Sequence, residues 1–464
     1  MMPVSVATAE YTPSTLPELA GNPYAEALPP LRPDREVIKA LRVLPEFTPG
    51  ERELPAEDRV AASQRLLRCV VPTRQYLEVY RKLHRLLCSG YVERNPLSPE
   101  TVRWHYDLAR NRQVTETSSA ESMVVCGISG AGKTTLVRNL LRCIPQVIEH
   151  DAYDGAPFKC RQLVYVCVDV PADASRRALC LGILDAIDRA LGTGHGREYR
   201  KPKTSVDDMQ HAIKTLFGTY GVAVLLVDEF QNLSLARAGG RQALLQFFDS
   251  LVNEVRVPVV QIGTPAAIRV YEDQFRSARR AGTGGHVEID RIKPGSEEWR
   301  ILIQIVWQRQ WVRRPAELTQ KLDDLVYDLT QGLPACVFRL FALAHEAAIS
   351  DGSERIDAQL LKRVYKEQFG LMRHALQQLR RGRSGAYEDL VEGDRFIASG
   401  GAAGSIRRIT QRVKHGQFAP DLCRELLTQI RDVECEFDLT PNQEREIVRL
   451  KGVLGDALQG ANHA

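Results

Sequence analysis

The sequence predicts an α/β fold in which a parallel five-stranded sheet wrapped by helices is followed by a small all-helical piece. Three observations predict it. A short apolar run from Met123 feeds a glycine-rich loop, Gly127-Ile-Ser-Gly-Ala-Gly-Lys-Thr-Thr135. A second apolar run from Val222 ends in two adjacent carboxylates, Asp228 and Glu229, and continuous apolar runs are what parallel strands covered on both faces look like. Strand patterns then alternate with helical ones as far as Pro294 and stop, the order expected of a parallel sheet with right-handed crossovers.

The glycine loop is a phosphate site by chemistry. Backbone N–H groups can wrap a phosphate only where no side chain blocks the approach and where positive φ is available, which suits Gly127, Gly130 and Gly132. Ser129, Ala131 and Thr135 complete the loop; Lys133 is the point charge for the β- and γ-phosphates and Thr134 the hydroxyl ligand for Mg²⁺. Two ionised groups at the carboxyl end of a buried strand are costly unless they serve a cation or a reacting water. Asp228 therefore orients the shell of Mg²⁺, and Glu229 polarises the attacking water. The pair implies a site for ATP or GTP.

Length and composition frame this core. The 464 residues are enough for two to four domains at roughly 100–200 residues each. With 62 basic against 58 acidic residues the net charge is only +4, so a nucleic-acid surface must be a local patch. The ten cysteines form no C-x-x-C pair, a usage that suits buried free thiols in a reducing cytoplasm better than disulfides or zinc. No stretch approaches the ~18 apolar residues of a membrane span, and the start lacks a basic-then-apolar leader. The expectation is a cytoplasmic protein with no membrane partner.

Residues 1–57 hold ten of the 24 prolines and no apolar period, which predicts an extended arm that docks on something else. Residues 58–118 turn helical, with Leu66, Tyr76, Leu77, Tyr80, Leu83 and Leu86 spaced by three and four. The core, 119–293, reads as strand 123–128, a helix to about Ile144, strand 162–170, helices 174–191 and 206–217, the acidic strand, a helix over 241–255, strand 257–263, a helix after Pro265, and strand 286–292. Residues 294–370 follow as a helical lid, with helices at 296–311, 319–330, 334–349 and from 356 to 379, a layout that can turn nucleotide state into a domain angle. A mainly helical extension, 371–464, carries basic runs at 380–383 and 407–414, which suit either a partner or DNA contact or a simple stabilising extension.

Two positions refine the chemistry. Thr264 follows strand 257–263, which lies beside the acidic strand if the sheet has the order of the additional-strand ATPases. Its hydroxyl can sense the γ-phosphate, or it can cap the helix before Pro265, and the two roles are compatible. Arg276, Arg279 and Arg280 cluster at the end of the next helix, where an arginine can reach a neighbouring subunit's γ-phosphate as a finger; a charge cluster complementing a helix end is the plainer reading.

Taken together, the chain resembles the AAA+ ATPases of transposition, TnsC and TniB, relatives of the origin-recognition-type replication initiators. The resemblance covers about residues 90–370. It rests on the phosphate loop, on Leu225-Leu-Val-Asp-Glu-Phe-Gln-Asn-Leu233, on Val259-Val-Gln-Ile-Gly-Thr-Pro265, and on the lid segment beginning Thr330-Gln-Gly-Leu-Pro334. One departure is that Pro334 is followed by Ala335 rather than by the arginine of initiator lids, with Arg339 the nearest substitute. The resemblance implies an ATPase using ATP and Mg²⁺ that assembles as a homo-oligomeric ring or filament on double-stranded DNA. It implies further that the assembly links a target-selection protein to a DDE transposase and disassembles on hydrolysis. Basic side chains would then track the backbone without reading bases, and Arg197, Arg200, Lys201 and Lys203 sit in a glycine-flanked loop suited to that, with Arg176, Arg177, Arg237 and Arg241 as further candidates. A replication initiator or helicase loader, and less so a nucleotide-regulated signalling switch, would share most of these motifs.

Overall fold

The computed structural model describes residues 4–112, 120–201, 203–235, 238–271, 279–382, isolated positions between 406 and 430, and 441–461. The chain divides into two units, Met1–Phe369 and Gly370–Ala464.

In the first unit the N-terminal part runs β1 (Val6–Thr8), α1 (Pro23–Glu26), α2 (Asp34–Leu41), α3 (Ala56–Ser63), α4 (Arg74–Ser89) and α5 (Pro99–Ala109). The core follows as β2 (Met123–Gly127), α6 (Lys133–Leu141), β3 (Val147–Tyr153), β4 (Ala156–Leu163), β5 (Tyr165–Asp169), α7 (Arg176–Leu191), α8 (Val206–Thr219), β6 (Val224–Asp228), α9 (Ala238–Asn253), β7 (Val259–Gly263), α10 (Ala266–Arg269) and β8 (Gly285–Ile289). Four helices close the unit: α11 (Glu297–Gln308), α12 (Gln320–Thr330), α13 (Pro334–Ser350) and α14 (Ala358–Gln368).

The main sheet has five parallel strands in the order β5-β6-β7-β2-β8. All residues of β6 and β7 are buried, as continuous Val/Leu/Ile runs require when helices cover both faces. Helix starts follow the local sequence: Ser175 caps α7 by accepting from Ala178 N–H, and Ser205 with Asp208 forms a capping box on α8. The phosphate-loop strand β2 lies between β7 and β8, so the carboxyl ends of β2, β6 and β7 converge on one edge, where open α/β sheets bind ligands.

Three expectations differ from the structure. The run read as strand 162–170 is two strands, because Gln162 and Leu163 end an antiparallel hairpin, β3–β4, and β5 starts at Tyr165. Residues 1–57 are not an extended arm. β1 pairs in parallel with β3 to make a three-stranded sheet, and the Glu26 carboxylate ties the segment down by accepting from Tyr153 Oη (2.6 Å), Gly21 N (3.0 Å) and Ser14 N (3.2 Å). Apolar anchors are there too, Leu19, Tyr24, Leu28, Val37 and Leu41 being buried, but they are scattered among prolines and polar residues and so show no period in the sequence. The helix expected over 356–379 breaks after Gln368, and its second half, α15 (Gly370–Arg380), belongs to the second unit.

The N-terminal segment also fastens the helical lid. Arg52 Nε donates to Gln310 O (2.9 Å), Trp311 Nε1 donates to Glu51 Oε2 (2.8 Å), and Arg59 pairs with Glu354. α4 lies along β8, with Gln75 and Arg85 donating to the carbonyls of Glu288 (3.1 Å) and Gly284 (2.7 Å).

The second unit holds α15 and α16 (Pro441–Ala461) and a buried cluster of Ile406, Ile409, Cys423, Leu426, Ile430, Ile447, Leu450 and Leu454. Among its described residues there is no strand. The basic run 407–414 lies largely outside the described residues. Among the described residues of the whole chain, no single helix is long and apolar enough to cross a membrane, and the described cysteines are all free thiols.

Candidate nucleotide site

The glycine loop joins β2 to α6. Gly130 and Gly132 have φ of 84° and 98°, a region that costs a residue with Cβ roughly 1–2 kcal/mol. Gly132 is the N-cap of α6 and no side chain caps that helix. Successive N–H groups in such a turn, opening a helix, form a cradle for anions, so the residues present fit a polyphosphate. Gly127 has a different role from the one its position in the motif suggests. A Cβ there would lie 2.2 Å from Ile289 O of β8, so its bareness serves strand pairing, not phosphate approach. Lys133 Nζ donates to the carbonyls of Gly127 (2.6 Å) and Ile128 (3.1 Å), folded back over the loop that it closes.

Across the sheet edge, Asp228 ends β6 and is 7% exposed. Burial pushes its carboxyl above the usual carboxylate range, and hydrogen bonds from Glu229 N–H and the Thr134 hydroxyl oppose the rise. The two residues expected at the metal site, Thr134 and Asp228, are thus in contact. A buried carboxylate beside a hydroxyl is an all-oxygen donor set of the kind that Mg²⁺ takes. Glu229 follows with φ of 54°, held there by its N–H donating to Asp228 Oδ1 (2.8 Å). Its Oε2 accepts from Gln231 Nε2 at 2.5 Å, and Gln231 Oε1 in turn accepts from Thr264 N at 3.1 Å.

Thr264 is 5% exposed. The register Cys126↔Gly263 sets it beside Gly127 at the carboxyl edge. Pro265, not Thr264, is the N-cap residue of α10. Gln231 lies within the Asp-Glu-Phe-Gln motif, yet the motif alone gives it no role; only its long-range bond to Thr264 singles it out, and sequence spacing does not encode that. Tyr76 of α4 has the spacing of a core residue, but its hydroxyl would stand 3.0 Å from a Cβ at Gly132, so the N-terminal helix abuts the phosphate loop.

The arginine cluster is divided. Arg276 lies outside the described residues. Arg279 is exposed. Arg280 reaches Asp249 at 3.4 Å with its side chain 21% exposed, and so is engaged within its own subunit. In the lid, Arg339 stacks over Phe369 at 5.9 Å.

The basic loop is not a loose tether. Residues 195–200 form a 3₁₀ turn whose N–H groups at His195 and Gly196 donate to the Asp188 carboxylate at 2.8 and 2.7 Å. Arg177 donates to the carbonyls of Tyr199, Lys201 and Thr204 and so braces the loop from below. Arg200 is paired with Asp185 at 2.6 Å. Arg197, Lys201 and Lys203 are exposed and make no ion pair among the described residues. Arg237 lies outside the described residues.

The sheet order and the loop define an AAA+ P-loop fold, and residues 115–270 match the family model described as AAA domain. No curated protein matches the sequence. Solved structures similar to the chain include the Aeropyrum pernix ORC1 protein in complex with DNA, at 16% identity over 77% of this chain and 81% of that one, TM-score 0.39. Drosophila ORC bound to DNA is similar at 14% identity over 86% and 91%, TM-score 0.42. The Walker-type ATPase Paby2304 of Pyrococcus abyssi is similar at 14% identity over 77% and 89%, TM-score 0.35. Likeness this distant speaks to neither substrate nor partner.

Proposed function

We propose that this protein is an ATP-hydrolysing regulator of transposition that assembles on duplex DNA. In this reading a target-selection protein and a DDE transposase are its partners, and hydrolysis ends the assembly. The observation that carries the ATPase part is the contact of the Thr134 hydroxyl with the buried Asp228 carboxylate, with Glu229 next to it. These groups belong to different elements, α6 and β6, and a carboxylate buried beside a half-buried hydroxyl at the mouth of a phosphate loop is a donor set that suits a divalent cation.

When bound, ATP with Mg²⁺ supplies a phosphoryl group whose developing charge the divalent ion shares. The chain's own residues do the rest. Lys133 releases its loop carbonyls and places its ammonium on the phosphates, the N–H groups from Gly130 to Thr135 orient them, and Thr134 with Asp228 fixes the cation. Glu229 takes the proton of the attacking water at its carboxylate. Among the described residues, Arg279 is the finger candidate with an exposed side chain, and Arg276 stays a candidate beside it.

Support for the DNA part comes from the braced basic loop, where Arg177 and Asp188 fix the backbone and Arg197, Lys201 and Lys203 make no ion pair among the described residues. The motifs shared with the transposition ATPases support the partners. A replication initiator or loader would use the same site, and the weak strand signals in the sequence over 390–464 count against the winged-helix module that it would carry. The test is electron microscopy of nucleotide-free protein with duplex DNA and either a non-hydrolysable ATP analogue or ADP. Rings or filaments on DNA with the analogue alone support the reading; particles unchanged by DNA and nucleotide contradict it.

A further inference from the structure

We propose that Gln231 is a positioning residue for hydrolysis at this site: its side-chain amide holds the Glu229 carboxylate and couples it to the end of β7 at Thr264. The inference rests on the ATPase reading and deepens it, since that reading uses Glu229 but leaves open what holds its carboxylate in place.

The geometry is built around this amide. Gln231 is 7% exposed, and both ends of its side chain are used, Nε2 donating to Glu229 Oε2 at 2.5 Å and Oε1 accepting from Thr264 N at 3.1 Å. The bare α-carbon of Gly263 makes room for it, since a Cβ there would stand 2.7 Å from Gln231 Oε1. The 3₁₀ turn that carries Gln231 is pinned on both sides: Phe230 stacks on Tyr271 at 5.9 Å and 15°, and Asn232 Nδ2 donates to Val170 O at 2.9 Å. The backbone of Glu229 itself is left-handed, with φ of 54°, so the carboxylate leaves the strand in a direction that an extended residue would not take.

A general base works when its carboxylate is held within roughly 0.5 Å of the productive place, by a neighbour whose own rotamer is locked. Gln231 meets that description. A glutamate side chain free to rotate spends most of its time elsewhere, whereas one tethered by an N–H donor is held in one orientation. The acceptor half of the amide makes the tether report on β7. Thr264 lies at the carboxyl edge beside the phosphate-loop strand, so a shift of its N–H is transmitted through one rigid amide plane to the Glu229 oxygen.

The test compares Gln231→Ala and Gln231→Met, the second keeping the buried volume, in the full chain and again in a Glu229→Gln background. Phosphate release and ATP affinity are measured for each, with single-turnover assays for the slow variants. The expected result is a fall in kcat of about tenfold to a hundredfold, the scale of an ångström-sized misplacement, with KM changed by less than about threefold. In the Glu229→Gln background the same substitutions should lower turnover no further, because the group acted upon is already gone. Equal losses in both backgrounds, kcat kept within about twofold of wild type, or joint loss of ATP affinity in both variants would overturn the proposal while leaving the ATPase reading intact. A wild-type chain that binds ATP without hydrolysing it would overturn both.

Discussion

Arg59 and Glu354 meet in a two-pronged ion pair, both N–O distances 2.6 Å, with the arginine side chain only 2% exposed. The pair ties α3 to the loop after α13, and a third bond from Arg59 to Trp311 O (3.1 Å) extends the clasp to the segment after α11. The arginine's hydrogen bond is the main cause holding the Glu354 carboxyl below the usual carboxylate range. Removing one partner strands the other in a poorly solvated place, so Arg59→Met should lower the unfolding free energy by about 3 kcal/mol at neutral pH. A lowered native pKa gives stability that is present above the unfolded value and lost as pH falls through the native one. The difference between wild type and variant should therefore shrink below about pH 4.5. Denaturant unfolding at pH 7 and pH 4 checks this; a change under about 0.5 kcal/mol at pH 7 means that the clasp does not hold the lid.

His345 takes up its proton at a much lower pH than a surface histidine. It is wholly buried in α13, its Nδ1–H donates to Phe341 O at 2.7 Å, and among the described residues its Nε2 has no partner. Burial pushes its pKa down to about 4. The unfolded chain thus binds a proton between pH 6.5 and 4 that the native chain refuses, so stability drops as pH is lowered through that window, by about 1.4 kcal/mol per pH unit from this residue. His345→Leu should flatten the pH dependence of thermal unfolding by that amount. An unchanged slope would show that the imidazole is protonated in the native state.

Gly127 and Gly132 should fail in different ways. Alanine at Gly127 drives a methyl into the backbone of Ile289 and so parts β2 from β8; the expected result is a chain that folds poorly. Gly132→Ala has a soft neighbour, the Tyr76 hydroxyl, but a φ of 98°, so the fold persists with a strained loop. Circular dichroism melts and ATP binding separate the two: stability drops at Gly127, affinity at Gly132. Equal effects would mean that both glycines serve the same end.

The basic loop makes an unequal set of predictions. Deleting one side chain that neutralises a phosphate should reduce the slope of log affinity against log salt by about 0.9 on duplex DNA. Lys201→Ala and Lys203→Ala should each show that decrement, whereas Arg200→Ala should show less, because Asp185 already neutralises Arg200. Fluorescence anisotropy with duplex DNA between low and moderate salt measures it. Slopes that ignore all three substitutions would move the DNA-binding surface elsewhere.

The sheet, the lid helices and the pairing of Thr134 with Asp228 are legible in the sequence because they follow local rules. Apolar runs mark β2, β5, β6 and β7, alternation marks β8, serine caps mark helix starts, and the spacing of Lys133, Thr134 and Asp228 follows from where a phosphate loop and its neighbouring strand must lie. What stays hidden depends on partners far apart in sequence. Arg59 and Glu354 each read as an ordinary surface charge, and Glu26 as one more acid in a proline-rich stretch, until the fold brings them to their acceptors and donors. The β3–β4 hairpin is hard to read because most of β4 is exposed or only half-buried, from Ala156 to Arg161, and Gln162–Leu163 run straight into the apolar β5. Gln231 is hidden for the same reason as the clasp: its meaning lies in Thr264, which no local pattern connects to it.

The most direct test of the central claim, that Thr134, Asp228 and Glu229 form a hydrolytic ATP site, is phosphate release by Glu229→Gln under conditions where the wild type turns over. ATP affinity should stay within about threefold of wild type while turnover falls by about a hundredfold or more. Hydrolysis by Glu229→Gln at the wild-type rate would contradict it.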